Sequence, residues 1–132
     1  YLNCKTFFSY RYGTFSTEQL VAAGTDAGAS SLAITNINNT ADAWDFVQYC
    51  RSAGIHPVLG TEIRNGDHFC YLLLAKNNTG FLHINRFLTE HLQAKKTFPA
   101  RPVMDDSVWV VYALGMASPA HLGLNELIGV QP

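Results

Sequence analysis

Apolar runs of four to eight residues alternate along this chain with segments that have the spacing of amphipathic helices. The runs are residues 1–4, 31–35, 56–63, 69–75, 108–112 and 127–130. Most of them are apolar on both faces and are separated by helical segments, so the order β-α-β-α-β-β-α-β-α-β predicts an α/β fold. Right-handed crossovers between such strands predict a mainly parallel sheet.

Capping residues and glycines mark where the predicted helices begin and end. Ser16 is placed to cap a first helix that ends near Gly28, and an Asn-rich turn precedes a second helix at residues 41–53. A third helix spans residues 78–92, and a short fourth helix starts at Ser118. Residues 64–67 read as a hairpin turn with Asn-Gly at its centre, which predicts one antiparallel pair.

Composition excludes several classes of protein. The 132 residues are 48% hydrophobic and 14% charged, which is typical of a folded globular chain. The net charge of −1 gives no basic footprint for nucleic acid over the whole segment. The three cysteines form no CxxC pair, which favours reduced thiols in the cytoplasm over a zinc or disulfide framework. We expect no signal peptide and no membrane-spanning helix.

Polar side chains follow the predicted strands where an α/β fold carries its sites. They are Asn3, Lys5, Asn36, Asn38, Glu62, Lys76 and Asn77. This set contains one carboxylate and two ammonium groups, whereas a hydrolytic metal site needs several His, Asp or Glu ligands. The five histidines have no HxH or HxxxH spacing. We therefore predict no metal, no cofactor and no catalytic residue in this segment.

Several motifs, in order, resemble the PHP domain at the N-terminus of bacterial DNA polymerase III alpha subunits. LNCKTFFSYRYGTFSTEQLV resembles the first PHP motif, a strand ending in His-x-His followed by a capped helix. SLAITNINNT and AGIHPVLGTEIRNG resemble the second and third motifs. LLLAKNNTGF and LNELIGVQP resemble stretches of the polymerase branch. The resemblance implies part of a PHP-type (β/α)7-like barrel, truncated at its C-terminus, with residues 1–132 as the first part of a longer chain.

The chain departs from the family at the metal ligands. Asn3 and Lys5 stand where the family has His-x-His, and Asn36 stands where it has Asp, so that only Glu62 keeps a ligand identity. These four residues are therefore predicted to be vestigial metal-site positions. Glu62 is either a relic ligand or, as we expect, a carboxylate paired with Lys5, and we expect Asn36 to be hydrogen-bonded in the same cluster.

The resemblance implies a non-catalytic module of a replicative DNA polymerase. The parent chain would be a cytoplasmic DNA-directed DNA polymerase, with the remaining polymerase domains and a proofreading exonuclease subunit as partners. DNA would be bound through the parent chain. Two alternatives are a metal-dependent phosphoesterase similar to histidinol phosphatase, and an α/β domain that binds a small ligand. We also expect exposed apolar surface, and hence self-association, beyond the final strand.

Overall fold

The computed structural model describes residues 1–129, and it is built on one five-stranded sheet with the strands in chain order. The strands are β1 (Ser31–Ile34), β2 (His56–Asn65), β3 (His68–Ala75), β4 (Val108–Ala113) and β5 (Glu126–Gly129). β1 pairs with β2, and β4 with β5, in parallel, whereas β3 is antiparallel to both of its neighbours. The fold is thus α/β with a mixed sheet.

The sheet is less parallel than predicted, because its one reversed strand, β3, has two antiparallel neighbours instead of one. Four strands run in one direction, but the hairpin places the reversed β3 in the middle of the sheet. Half of the neighbouring pairs are therefore antiparallel. Among the described residues β1 and β5 are the outer strands of an open sheet, and barrel closure is not seen.

The described residues contain three α-helices, and side-chain capping marks the start of the first and the third. They are α1 (Thr17–Asp26), α2 (Ala43–Ala53) and α3 (Asn78–Gln93), and a single 3-10 turn follows at Pro119–His121. Ser16 and Gln19 form a reciprocal capping box at α1, and Asn77 accepts a hydrogen bond from the Gly80 amide at the start of α3.

Helix α2 begins two residues later than predicted. Asp42 occupies the position before its first residue, but its carboxylate makes no capping bond to the helix. The carboxylate instead accepts hydrogen bonds from Thr6, Thr17 and Asn36. Tertiary contacts therefore override the local capping signal at this helix.

The predicted strand at residues 1–4 is wrong. The segment lies parallel to β1 and its Tyr1 and Cys4 carbonyls accept bonds from Ala33 and Thr35, but only the single bridge between Cys4 and Ile34 forms. Too few residues pair for a strand. The predicted strand at residues 127–130 starts instead at Glu126, and Val130 lies outside the described residues.

The two faces of the sheet are buried in different ways. Leu32 and Ile34 pack against α1 and α2, and Tyr71 and Leu73 pack against α3. The alternate residues point to the other face, where Ala33, Leu72, Leu74 and Val111 cluster without a helix. These four are at most 7% exposed, so the centre of that face is also shielded from solvent.

Exposed apolar side chains lie around β4 and β5. Leu114, Leu124 and Leu127 are 72%, 96% and 44% exposed. The apolar surface predicted beyond the final strand falls outside the described residues, and it stays a prediction together with self-association.

Candidate functional site

Two short parallel contacts bring the N-terminal segment to the end of β1 and the loop after β1 to the second half of β2. Cys4 bridges Ile34, and Ile37 bridges Glu62. Side chains two residues apart on an extended segment point to the same side, so Asn3 and Lys5 lie on the same side of the sheet as Glu62. Lys5 and Glu62 therefore lie close together beside the carboxyl end of β1.

Glu62 is a buried carboxylate held by two cations. The Lys5 ammonium lies 2.7 Å from Glu62 Oε2, and the Arg64 Nε–H donates to Glu62 Oε1. The Glu62 side chain is 1% exposed, and those of Lys5 and Arg64 are 13% and 15% exposed. Lys5 also donates to Asn3 Oδ1 at 2.7 Å. The expected pairing of Lys5 with Glu62 is confirmed.

These contacts keep the Glu62 carboxylate charged. Burial would raise the pKa of Glu62, but hydrogen bonds from Lys5 and Arg64 outweigh it and hold the pKa below its usual value. A carboxylate in this environment stays ionised at neutral pH.

The donor set does not fit a metal ion. Both oxygens of Glu62 face cationic nitrogens, and Asn3 Oδ1 already accepts from Lys5 and Thr35. An ammonium at this position repels a divalent ion and holds the oxygens that would ligate it. Within residues 1–129, no group of three or more His, Cys, Asp or Glu side chains is arranged to hold a metal.

The Asn36 side chain belongs to a different network, contrary to our expectation. Its Oδ1 accepts from the Thr6 amide and the Ser9 hydroxyl, and its Nδ2 donates to Thr6 Oγ1 and Asp42 Oδ1. Thr17 on α1 donates to the same Asp42 carboxylate at 2.9 Å. Asn36 contacts Glu62 through the backbone: the Glu62 amide donates to the Asn36 carbonyl at 3.1 Å. The Asn36 side chain therefore ties loops and helices together beside the ion pair.

Sequence reasoning missed Arg64 and Asp42. Arg64 was assigned to the hairpin turn, although β2 continues through it, and the period of two from Glu62 was the available signal. Asp42 falls within the first turn of the predicted helix at residues 41–53, where an acidic residue is ordinary and indicates no wider network.

A polar cavity of about 360 Å³ opens beside the ion pair. Tyr12 stacks on the Arg64 guanidinium, whose central carbon lies 4.2 Å from the ring centroid. The cavity is lined by Asn3, Lys5, Tyr12, Gly13, Thr14, Phe15, Glu62 and Arg64. Its walls thus combine two cations, one carboxylate and two aromatic rings.

A second buried carboxylate lies on β5 and was not singled out from the sequence. Arg101 forms an ion pair with Glu126, which also accepts from Tyr112 at 3.0 Å and from the Gly123 amide at 2.6 Å. The hydrogen bonds from Arg101 lower the pKa of Glu126 to about 2. This network ties the loop before β4 to the last described strand.

No helix in residues 1–129 has the length and apolar character needed to cross a bilayer.

Comparison with known proteins gives consistent matches. A family model described as "PHP domain" matches residues 2–125. The DNA polymerase III subunit alpha of Neisseria meningitidis serogroup A is 30% identical over 94 residues, which is 67% of this chain and 8% of that protein. The Bacillus subtilis subunit is 27% identical over 108 residues, 77% of this chain and 10% of that protein. The error-prone DNA polymerase of Symbiobacterium thermophilum is 30% identical over 89 residues, 67% of this chain and 8% of that protein.

Among solved structures, a candidate metal-dependent phosphoesterase from Bifidobacterium adolescentis aligns with a TM-score of 0.53 and 26% identity, covering 70% of this chain and 32% of that one. The chain spans about a tenth of the length of the curated polymerases that it matches. The motif order, the α/β fold and the family match agree, and the chain belongs to the PHP domain family.

Proposed function

We propose that this chain is the PHP module of a replicative DNA polymerase and that it serves as a structural and interaction domain without phosphoesterase activity of its own. Homology to the PHP regions of DNA polymerase III alpha subunits and error-prone polymerases supports the polymerase context. The single observation that carries the non-catalytic role is the Lys5–Glu62–Arg64 ion pair, because it occupies the one carboxylate of the predicted ligand positions.

In this proposal Asn3, Lys5, Asn36 and Glu62 are vestigial metal-site positions. Two side-chain cations supply positive charge beside Glu62, so the fold needs no ion to compensate a buried carboxylate. A domain with a structural role can lose its metal ligands and carry a lysine in their place, because its function does not depend on a metal.

We also propose that the sheet is one part of a PHP-type (β/α)7-like barrel. Support comes from the helix-free face, where Ala33, Leu72, Leu74 and Val111 are buried among themselves as inward-facing barrel residues are. The partners of the module are then the remaining polymerase domains and a proofreading exonuclease subunit, in a cytoplasmic enzyme that holds DNA mainly through its other domains.

A metal-dependent phosphoesterase is the second candidate, and the similarity to the Bifidobacterium protein favours it. The two candidates differ in what Glu62 does. In a phosphoesterase the carboxylate ligates the metal, whereas in the proposed module it only balances Lys5 and Arg64.

One experiment separates these functions. The purified protein that contains this chain is assayed for primer extension and for hydrolysis of p-nitrophenyl phosphate with Mn²⁺ or Zn²⁺, as wild type and as Glu62→Gln. We expect primer extension, with no metal-dependent phosphate release from either form, and a lower inactivation temperature for the variant. Metal-dependent hydrolysis that Glu62→Gln abolishes would establish the phosphoesterase instead.

A further inference from the structure

The Asn-Gly pair of the β2–β3 turn carries a side chain that binds a loop distant in sequence. Asn65 is the last residue of β2, and Gly66 follows it in the turn. Asn65 Oδ1 accepts a hydrogen bond from the Phe98 amide at 2.8 Å, and Asn65 Nδ2 donates to the Phe98 carbonyl at 2.9 Å. The side chain thus pairs with the backbone of one residue as a neighbouring strand would.

The loop that Asn65 holds contributes a side chain to the core. We name residues 94–107, which lie between α3 and β4, the strap. Phe98 belongs to the strap and is 6% exposed, and its ring centroid lies 5.6 Å from that of Phe87 and 5.1 Å from that of His91 on α3. The contact with Asn65 therefore holds an aromatic residue of the core in place.

An asparagine that precedes a glycine is open to an intramolecular reaction. The glycine nitrogen attacks the side-chain carbonyl carbon, and the new C–N bond closes a succinimide ring. Ammonia leaves with the side-chain nitrogen and the proton of the glycine amide. Water then opens the ring to give aspartate or, with the backbone rerouted through the side chain, isoaspartate. Glycine favours the attack because it has no Cβ in the way, and Asn65-Gly66 is the one Asn-Gly pair of the sequence.

The surroundings of Gly66 leave room for this reaction, whereas the contacts of Asn65 oppose it. A Cβ built on Gly66 would meet no heavy atom within 4 Å, so water reaches the turn. Both polar atoms of the Asn65 side chain are bonded to Phe98, and they have to leave it before the carbonyl carbon can turn to the Gly66 nitrogen. The reaction therefore proceeds from a locally open state, at a rate that follows the population of that state.

The product of the reaction cannot restore the contact. An aspartate in place of Asn65 still accepts a hydrogen bond from the Phe98 amide, but it has lost the donor that met the Phe98 carbonyl. A carboxylate oxygen then faces a carbonyl oxygen with no proton between them, which is unfavourable at a partly buried site. Isoaspartate also adds a carbon to the backbone of the turn. Deamidation thus converts a transient opening of the strap into a lasting one.

We infer that Asn65 is a deamidation site and that the reaction, with water as the co-reactant, releases the part of the strap around Phe98 from the sheet. The folded protein keeps the reaction slow, because Phe98 holds both polar atoms of the side chain. Any change that opens the strap speeds it up. The inference concerns a covalent change at the β2–β3 turn and goes beyond the proposed function.

Peptide mapping by mass spectrometry tests the reaction. The purified protein that contains this chain is kept in mildly alkaline buffer, folded or unfolded in urea, and the conversion of Asn65 is followed over time. Asn78, which is exposed and precedes Thr79, is the internal control in the same digest. Tyr71→Phe loosens the strap without touching Asn65, because the Tyr71 hydroxyl donates to the Pro99 carbonyl at 3.0 Å.

We expect Asn65 to convert faster than Asn78 in urea, and at least about tenfold more slowly in the folded protein than in urea. Tyr71→Phe should raise the rate in the folded protein. No conversion of Asn65 in either state, or equal rates in the folded and unfolded protein, would overturn the inference. So would a rate in the folded protein that Tyr71→Phe leaves unchanged.

Hydrogen exchange followed by mass spectrometry tests the consequence. Asn65→Asp has the side chain of the product, and the matched control Asn78→Asp makes the same change at an exposed position in the first turn of α3. Wild type after the alkaline incubation is a further sample, in which the deamidated fraction gives a second population of each strap peptide. It keeps the test valid if Asn65→Asp does not fold.

We expect peptides that contain Phe98 to exchange about tenfold faster in Asn65→Asp and in the deamidated fraction of wild type, because two hydrogen bonds to the strap are weakened or lost. Asn78→Asp should exchange like untreated wild type. Equal exchange of these peptides in all samples would overturn the proposed release. None of these results bears on primer extension or phosphate release, so the proposed function is tested separately.

Discussion

Glu62 shows how a carboxylate at a metal-type position is stabilised by side chains alone. Each of its oxygens contacts a different cation, and Lys5 reaches it from the N-terminal segment while Arg64 reaches it from two residues along the same strand. The Lys5–Glu62 ion pair links the N-terminal segment to β2. Its strength therefore bears on how firmly the N-terminal segment is held against the sheet.

Replacing Lys5 with Met keeps the length of the side chain and removes the charge. We expect the free energy of unfolding to fall by about 2 kcal/mol, less than the roughly 3–5 kcal/mol of a buried ion that loses its only partner, because Arg64 still contacts Glu62. The matched control is Lys96→Met at an exposed site, which should change the stability by under about 0.5 kcal/mol. Urea denaturation measures both, and equal effects of the two variants would contradict a stabilising role for the ion pair.

At the scale of helices and strands, close backbone approach fixes where α3 lies. A Cβ on Gly80 would sit 2.0 Å from the Ser107 carbonyl oxygen, which accepts a hydrogen bond from the Lys76 amide. The Ser107 carbonyl cannot move away from Gly80 without weakening its hydrogen bond to the Lys76 amide. The helix therefore reaches the strand end only because residue 80 has no side chain.

Two helical glycines give a matched pair of variants. In an open helix Gly→Ala stabilises by about 1 kcal/mol. A Cβ on Gly24 would meet only side-chain atoms, the nearest from Leu32 at 3.1 Å, so Gly24→Ala should be close to neutral. Gly80→Ala should lower the free energy of unfolding by at least about 2 kcal/mol, because the clash is with backbone. Thermal unfolding monitored by circular dichroism compares them. If the Gly80→Ala protein were as stable as the Gly24→Ala protein, α3 would not be in close contact with the backbone at Ser107.

The sequence predicted elements well where a local signal decided them. The Ser16 cap and the Asn-Gly turn are contained within a few residues, so α1 and the β2–β3 hairpin were foreseen. The late start of α2 and the separate network of Asn36 depend on residues 25 to 36 positions apart. The central position of β3 depends on its pairing with β4, whose residues are 33 to 39 positions away. No local pattern encodes such contacts. The Lys5–Glu62 pair is also distant in sequence and was predicted from the topology, whereas Arg64 was missed because it was assigned to the hairpin turn.

Over the whole molecule, buried acidic groups at two places in the sheet link stability to pH. Glu62 lies on β2 and Glu126 on β5, and both have lowered pKa values in the folded protein. A group with a lowered folded pKa stabilises the protein above its unfolded pKa and loses this effect as the pH falls through the folded value. Acid should therefore destabilise both parts of the sheet.

We expect the urea midpoint to fall as the pH is lowered from about 4.5, the ordinary value for a glutamate, to about 2, the folded pKa of Glu126. Glu126→Gln should be less stable than wild type at neutral pH and should show a flatter dependence on pH over this range. The exposed Glu18→Gln serves as the control, with the slope of wild type. If the urea midpoint of Glu126→Gln fell with pH as steeply as that of wild type, Glu126 would not contribute to the acid sensitivity.

The central claim is that side-chain cations take the place of a metal at Glu62, and metal content tests it most directly. The purified protein is equilibrated with Zn²⁺ and Mn²⁺, passed through a desalting column and analysed by mass spectrometry of the elements, alongside Glu62→Gln. We predict the same metal content for both proteins, with no ion held by Glu62. One or more ions per chain that the wild type retains and Glu62→Gln loses would contradict the claim.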